Sequence, residues 1–156
     1  MSKSIYIYGF HSIEAQLNSN PECILNVFFQ SGRSDIRISK ITSILNNQKI
    51  SFSKINKNRL DQLTKYELHQ GVVAEVVLPQ LPGHKALIEF VTKLSNNPLI
   101  LMLDSIQDPR NLGACLRCAN AAGVDCVVVN KDGSAPINAV VHKTSAGAIN
   151  QLKIFQ

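Results

Sequence analysis

Short runs of apolar and β-branched residues alternate along the chain with stretches in which apolar positions recur every three or four residues. That order is expected of α/β layers rather than an all-β sandwich. In the first half the pattern predicts strands over 5–8, 24–30, 49–52 and 71–77, and helices over 12–18, 36–46 and 57–64, with Asn56 placed to cap the last. Pro79, Pro82 and Gly83 then interrupt the pattern, which predicts a first domain over 1–78, a linker over 79–83 and a second domain over 84–156. No internal repeat is present.

In the second half, Leu87, Ile88, Val91 and Leu94 recur at helical spacing and are followed by the turn residues Ser95, Asn96, Asn97 and Pro98. Residues 99–103 and 126–129 are continuously apolar, as strands covered on both faces by helices would be. Between them, Asp108 and Pro109 read as the N-cap and first residue of a helix. Leu112, Cys115, Leu116 and Ala119 form its apolar stripe, and Gly123 ends it. Strand, helix and strand make a βαβ unit with a parallel sheet.

Composition narrows the class. The chain has 156 residues, 45% hydrophobic and 17% charged, which excludes disorder as the default state. Its longest apolar run, over 99–103, is far short of the roughly 20 residues that span a bilayer, and residues 1–12 lack the apolar core of a signal peptide. A cytoplasmic protein with no membrane partner is expected. Three of the four cysteines, Cys23, Cys115, Cys118 and Cys126, stand among apolar and small residues, which fits reduced packing residues better than a disulfide framework.

The net charge is +5, and its distribution is uneven. Residues 31–65 carry eight cations, among them Arg33, Lys54, Lys57 and Arg59, against Asp35 and Asp61, so the rest of the chain is close to neutral. Such a stretch is either a solvated polar face or a phosphate-contacting surface.

The likeliest place for chemistry is the loop at 104–111, because open α/β sheets bind ligands beyond the carboxyl ends of parallel strands. Asn111 falls in the first turn of the following helix. Arg117 shares a helix face with Gly113, Ala114, Cys118 and Ala121, small residues that would let a nucleotide or another backbone approach. On spacing alone, Asp108 and Asn111 serve equally well as turn and cap residues, and Arg117 as a solvated arginine. Cys115 and Cys118 lie in one helix without a second pair, which argues for packing and against zinc. No G-x-G-x-x-G or Walker lysine motif occurs, and His11, His69, His84 and His142 have no neighbours in sequence that would make them a site.

The segment from Leu103 through Asp104, Ser105, Ile106, Gln107, Asp108, Pro109, Arg110, Asn111, Leu112 and Gly113, with Arg117, Ala119 and Gly123 beyond it, resembles the first signature motif of the SpoU branch of the SPOUT RNA 2′-O-methyltransferases. Val127–Val129 with Lys131, Ser134 and Asn138, then Lys143 through Ala148, continue the likeness. Tyr8 through Ala15 and His69 through Ala74 resemble the small substrate-binding domain, similar to ribosomal protein L30e, that precedes the catalytic domain in this branch. Within the branch the chain looks most like the enzymes that methylate a guanosine ribose in 23S ribosomal RNA.

The resemblance implies an L30e-like α/β domain followed by a SPOUT parallel-sheet domain, Rossmann-like and normally knotted. It implies transfer of a methyl group from S-adenosylmethionine to a ribose 2′-hydroxyl, with Arg117 helping to activate that hydroxyl and Asn111 organising the motif loop and the RNA. Arg33, Lys54, Lys57 and Arg59 would hold RNA phosphates. Two later family motifs, one of Gly-Glu-Gly type and one of Ser-Leu-Asn type, do not occur before Gln156. The SPOUT domain is therefore expected to be incomplete here, with no assignable donor-binding residues, and the chain alone to be inactive and not to bind the donor tightly. The family homodimer pairs partly through the same region, so dimerisation is not expected to carry over. The alternative reading is a non-catalytic RNA-binding module.

Overall fold

Residues 4–78 and 80–156 are described by a computed structural model, and the chain divides into two units, Met1–Pro79 and Gln80–Gln156. Pro79, where the predicted linker begins, lies outside the described residues. Among the described residues, no helix is long and apolar enough to cross a membrane.

The first unit holds β1 (Ser4–Tyr8), α1 (Phe10–Ser19), β2 (Ile24–Gln30), α2 (Ile36–Gln48), β3 (Phe52–Ile55), α3 (Lys57–Leu63) and β4 (Val72–Val77). Its sheet runs in the order β1-β4-β2-β3; β4 is antiparallel to both neighbours, and β2 is parallel to β3. Apolar residues spaced by three and four on α1 (Phe10, Ile13, Leu17) and α2 (Ile38, Ile41, Leu45) pack with Ile7, Val27, Phe29, Val72, Ala74 and Val76 of the strands into one core. Each such aliphatic or aromatic side chain contributes about 1.5–3 kcal/mol when fully buried.

The predicted strand over 49–52 forms three residues later. Lys49 takes the left-handed C-cap of α2 at φ 57°, and the Ile50 N–H donates back to the Leu45 carbonyl at 2.9 Å. Those caps satisfy carbonyls at the helix end, so pairing with β2 starts only at Phe52. Asn56 caps α3 as expected, accepting from the Arg59 N–H at 2.8 Å.

The second unit holds α4 (His84–Thr92), β5 (Ile100–Leu103), α5 (Pro109–Ala122), β6 (Cys126–Val129), α6 (Ala139–Thr144) and β7 (Ile154–Phe155). Its three strands lie in the order β5-β6-β7, all parallel. The expectation that residues 99–103 are covered on both faces is corrected. β5 is an edge strand with Met102 74% exposed, whereas the central β6 buries Cys126, Val127 and Val129. Cys118 is likewise exposed rather than packed, and all four cysteines are free.

Helix α5 follows its sequence signals closely. Asp108 Oδ1 accepts from the Arg110 N–H at 2.8 Å, Pro109 occupies the first turn, and Gly123 closes the helix at φ 69°. Leu112, Leu116 and Ala119 face the core with Val127, Val129 and Val141. Gly113, also buried, is where α6 crosses. A Cβ built there would overlap the Thr144 hydroxyl and stand 2.9 Å from Thr144 Cβ and 3.1 Å from the Ser145 nitrogen.

Gly113 thus sets how close the two helices approach. In an open helix, glycine to alanine gains about 1 kcal/mol of propensity. Here Gly113→Ala is expected to destabilise the protein by about 1–3 kcal/mol through overpacking. Thermal denaturation checks this, and Gly113→Ala combined with Thr144→Ala should recover part of the loss.

Candidate functional site

The parallel register that pairs Leu103 with Val129 brings the next residues, Asp104 and Asn130, side by side at the carboxyl edge of the sheet. Asp104 Oδ1 accepts from Asn130 Nδ2 at 3.1 Å and from Ser105 Oγ at 2.9 Å. Asn130 Oδ1 in turn accepts from the Ser105 N–H at 2.9 Å and Ser134 Oγ at 3.4 Å. The Ala135 N–H donates to the Ile106 carbonyl at 2.7 Å, so the loops after β5 and β6 are joined at two levels. Ser105 is held at φ 58°, a conformation that non-glycine residues adopt at a cost.

An open cleft of about 360 Å³ runs along this edge, lined by Met102, Leu103, Asp104, Val128, Val129 and Asn130. The side chains of Asp104 and Asn130 in this lining bond one another and Ser105. Asn130 was missed in the sequence reading. Its signal is positional, since it follows a parallel strand whose partner ends in an aspartate.

Asn111 lies exposed in the first turn of α5, and Arg117 lies exposed further along it. Six residues apart, they are separated by about 9 Å along the axis and about 120° around it. They therefore share the helix but not one face. Arg117 has no hydrogen-bond or ion-pair partner among the described residues. Of the small residues on its face, Gly113 is buried against α6, whereas Arg117 itself is exposed.

Helix α6 begins at Asn138, whose Oδ1 accepts from the Val140 and Val141 N–H groups at 3.0 and 3.2 Å. His142, within α6, is buried, and burial pushes its imidazole down to about 4 from an ordinary 6.5. Burial also lowers the Lys143 ammonium.

In the first unit, the carboxyl ends of β1, β2 and β3 and the amino end of β4 all fall at one end of the sheet, because β4 alone runs the other way. This end carries the basic residues. Arg33, in the loop after β2, donates from Nε to Asp35 Oδ2 at 2.9 Å and from Nη1 to the Gln70 carbonyl at 2.6 Å, and sits over the Phe10 ring at 5.7 Å. Arg37 lies over the same ring at 5.5 Å. The Ile38 N–H, and after it the Arg33 guanidinium, hold the Asp35 carboxyl below the usual carboxylate range. Phe10, Arg33, Asp35, Ile36, Arg37 and Gln70 line an open cleft of about 620 Å³.

Lys54 is exposed on the edge strand β3, and Lys57 and Arg59 are exposed in the first turn of α3. The fold thus gathers Arg33, Lys57 and Arg59 at one end, with Lys54 one residue short of the end of its strand. Arg33 and Arg59 both donate within the protein, Arg59 from Nη1 to Gln62 Oε1 at 3.2 Å; Arg33 differs in bracing the distant Gln70 loop.

Two family models match the chain, one described as RNA 2′-O ribose methyltransferase substrate binding over residues 6–82 and one as the SpoU rRNA methylase family over residues 98–156. The 23S rRNA (guanosine-2′-O-)-methyltransferase RlmB of Haemophilus ducreyi is 39% identical over 150 residues, covering 96% of this chain and 61% of that protein. The protein of the same name from Neisseria meningitidis is 42% identical over 142 residues, covering 91% and 56%. The chain therefore spans about 60% of the length of the curated relatives it matches. Among solved structures, the SpoU methyltransferase AviRb of Streptomyces viridochromogenes in complex with AdoMet superposes with a TM-score of 0.78 at 18% identity, covering 97% of this chain and 54% of that one. An RNA 2′-O ribose methyltransferase superposes at 0.69 with 22% identity, covering 99% and 55%.

His142 makes stability depend on pH. Its folded pKa lies below the unfolded value, so its contribution is fully present above pH 6.5 and is lost as pH falls toward about 4, where the unfolded chain alone takes the proton. Between pH 6.5 and 5, above the range where carboxylates titrate, the second unit is expected to lose about 2 kcal/mol. Urea denaturation across that window measures it, and His142→Leu should flatten the slope.

Proposed function

The chain belongs to the SpoU rRNA methylase family, and on that premise we propose that it serves transfer of a methyl group from S-adenosylmethionine to a ribose 2′-hydroxyl, of a guanosine in 23S ribosomal RNA, in the cytoplasm. The observation that carries this reading is the arrangement after β5. A motif loop fixed by Asp104 and Asn130 leads into a helix that leaves Asn111 and Arg117 exposed and Arg117 without a protein partner.

A 2′-hydroxyl is a weak nucleophile that must give up its proton, here to solvent water, as its oxygen takes the methyl group. The Arg117 guanidinium is always charged, so it does not act as the base. Its planar fork suits bonding a phosphate oxygen and the ribose hydroxyl together, which orients the hydroxyl and stabilises the oxyanion as it forms. Asn111, beside the capped start of α5, orients the motif loop against the nucleotide. S-adenosylmethionine supplies the methyl group when bound, and none of the described residues is assigned to hold it.

The first unit is the RNA-holding domain in this proposal. Lys54, Lys57 and Arg59 meet phosphates directly, while Arg33 both shapes the Gln70 loop and adds charge. Phosphate contacts give affinity that falls with salt, and the 2′-hydroxyl distinguishes RNA from DNA. The second reading, an RNA-binding module without catalysis, draws on the same basic end and predicts binding without methyl transfer.

In the intact protein, methyl transfer from isotope-labelled S-adenosylmethionine to 23S rRNA is expected to fall on the order of 100-fold in Arg117→Ala, with little change in RNA affinity. Normal transfer by that variant would remove Arg117 from the mechanism. Replacing Lys54, Lys57 and Arg59 together by alanine should flatten the salt dependence of RNA binding by roughly 0.9 per lost duplex contact, or about 0.7 for single strands. An unchanged slope would place the phosphates elsewhere.

A further inference from the structure

Resting on the reading that the basic end of the first sheet holds RNA, we infer that Tyr66 is a stacking platform for an unpaired base, so that the RNA engaged there is a loop or bulge rather than uninterrupted duplex.

Tyr66 is 79% exposed, although the chain has only nine aromatic residues. Among the described residues, the other rings are buried or engaged. Tyr6 pairs with Phe28, Phe29 with Phe52 and Phe90 with Phe155, Phe10 lies under two arginines, and Tyr8 is buried. Tyr66 also occupies a conformation tyrosine avoids. It stands at φ 65° directly after Lys65 at φ 54°, a left-handed pair without glycine.

The surrounding bonds hold this conformation in place. The Tyr66 N–H donates to the Asp61 carbonyl at 2.7 Å, and Thr64 Oγ1 donates within the same turn, to the Leu60 carbonyl at 3.0 Å. The buried His69 bonds Asp61 Oδ1 through Nε2 at 2.9 Å and accepts from the Gly71 N–H at Nδ1 at 2.9 Å, while Arg33 grips the Gln70 carbonyl. The loop is thus a braced turn that holds an apolar ring in water. Leu68, two residues on, is also exposed, at 75%.

Strain sustained by its surroundings, together with an exposed flat ring, points to a ligand with a flat face. The local charge selects the ligand class. Lys65 adjoins the tyrosine, and Arg33, Lys57 and Arg59 lie at the same end of the sheet, which suits a polyanion whose bases offer faces for stacking. A base inside a duplex has both faces covered, so only an unpaired one can lie on the ring.

The test is binding of two labelled RNAs, a hairpin with an open loop and the same stem closed as a continuous duplex, to the wild-type protein and to Tyr66→Asn and Tyr66→Trp. Asparagine tolerates the left-handed conformation better than tyrosine, so Tyr66→Asn should melt no lower than wild type and cannot be dismissed as misfolded. It is expected to bind the hairpin on the order of ten-fold more weakly, with the duplex unaffected and the salt slope unchanged, and Tyr66→Trp should keep the affinity. Equal hairpin binding by Tyr66→Asn, or an equal loss on the duplex, overturns the inference while leaving the basic-end reading intact. If the wild-type protein binds neither RNA, both are overturned.

Discussion

Strand pairing brings together the two loop platforms of this chain. Two parallel strands end at the same edge, so residues that follow them meet there however far apart they are in sequence. In the second unit this brings Asp104 and Asn130 together across 26 positions and makes one platform of the loops after β5 and β6. In the first unit the pairing of β2 with β3 carries Arg33 and Lys57 to one end, and the reversed β4 returns the chain so that Gln70 meets Arg33. Without these registers the same residues would be scattered polar positions.

The two platforms are held in different ways. Beside β5 the bracing is polar and local, with a carboxylate, an amide and two serines bonding one another around a strained Ser105. The helices behind it are held by contact at Gly113, where the lack of a side chain lets α6 press against α5. In the first unit a large apolar core made by α1 and α2 supplies the stability, and the loop over 64–71 draws on it. Left-handed conformations at Lys65, Tyr66 and Gln70 cost about 1–2 kcal/mol each. They persist because His69, Asp61, Thr64 and Arg33 bond the loop in one shape.

Much of this was legible in the sequence wherever the signal is local. Helix α5 announced itself through Asp108, Pro109, its apolar stripe and Gly123, and Asn56 capped α3 as its position implied. The alternation of strands and helices gave the α/β class, and the run from Leu103 to Gly113 gave the family. Boundaries and partners were less legible because they depend on what packs from elsewhere. A capped end of α2 moved β3 along the chain. A continuous apolar run became an edge strand with Met102 exposed, since hydrophobicity records that a segment pairs and not whether both its faces are covered. Helix α6 has six residues, too few for periodicity to show. Asn130 gained meaning only once the register placed it opposite Asp104. The left-handed pair Lys65 and Tyr66 includes no glycine to mark it.

The separation of the two platforms into two units also separates their physics. Charges at the end of the first sheet act through solvent and over a Debye length of about 10 Å, so they tolerate loose placement, and lysines on mobile stems suffice. Activation of a hydroxyl depends on direction within tenths of an ångström and requires a rigid mount. Under the proposed roles, the elements that carry these residues differ in the same sense. The cations Lys54, Lys57 and Arg59 stand exposed on an edge strand and a short surface helix, with Arg59 bonded to Gln62 of the same helix. Arg117 projects from a 14-residue helix sealed at both ends and pinned along its length by Leu112, Gly113, Leu116 and Ala119.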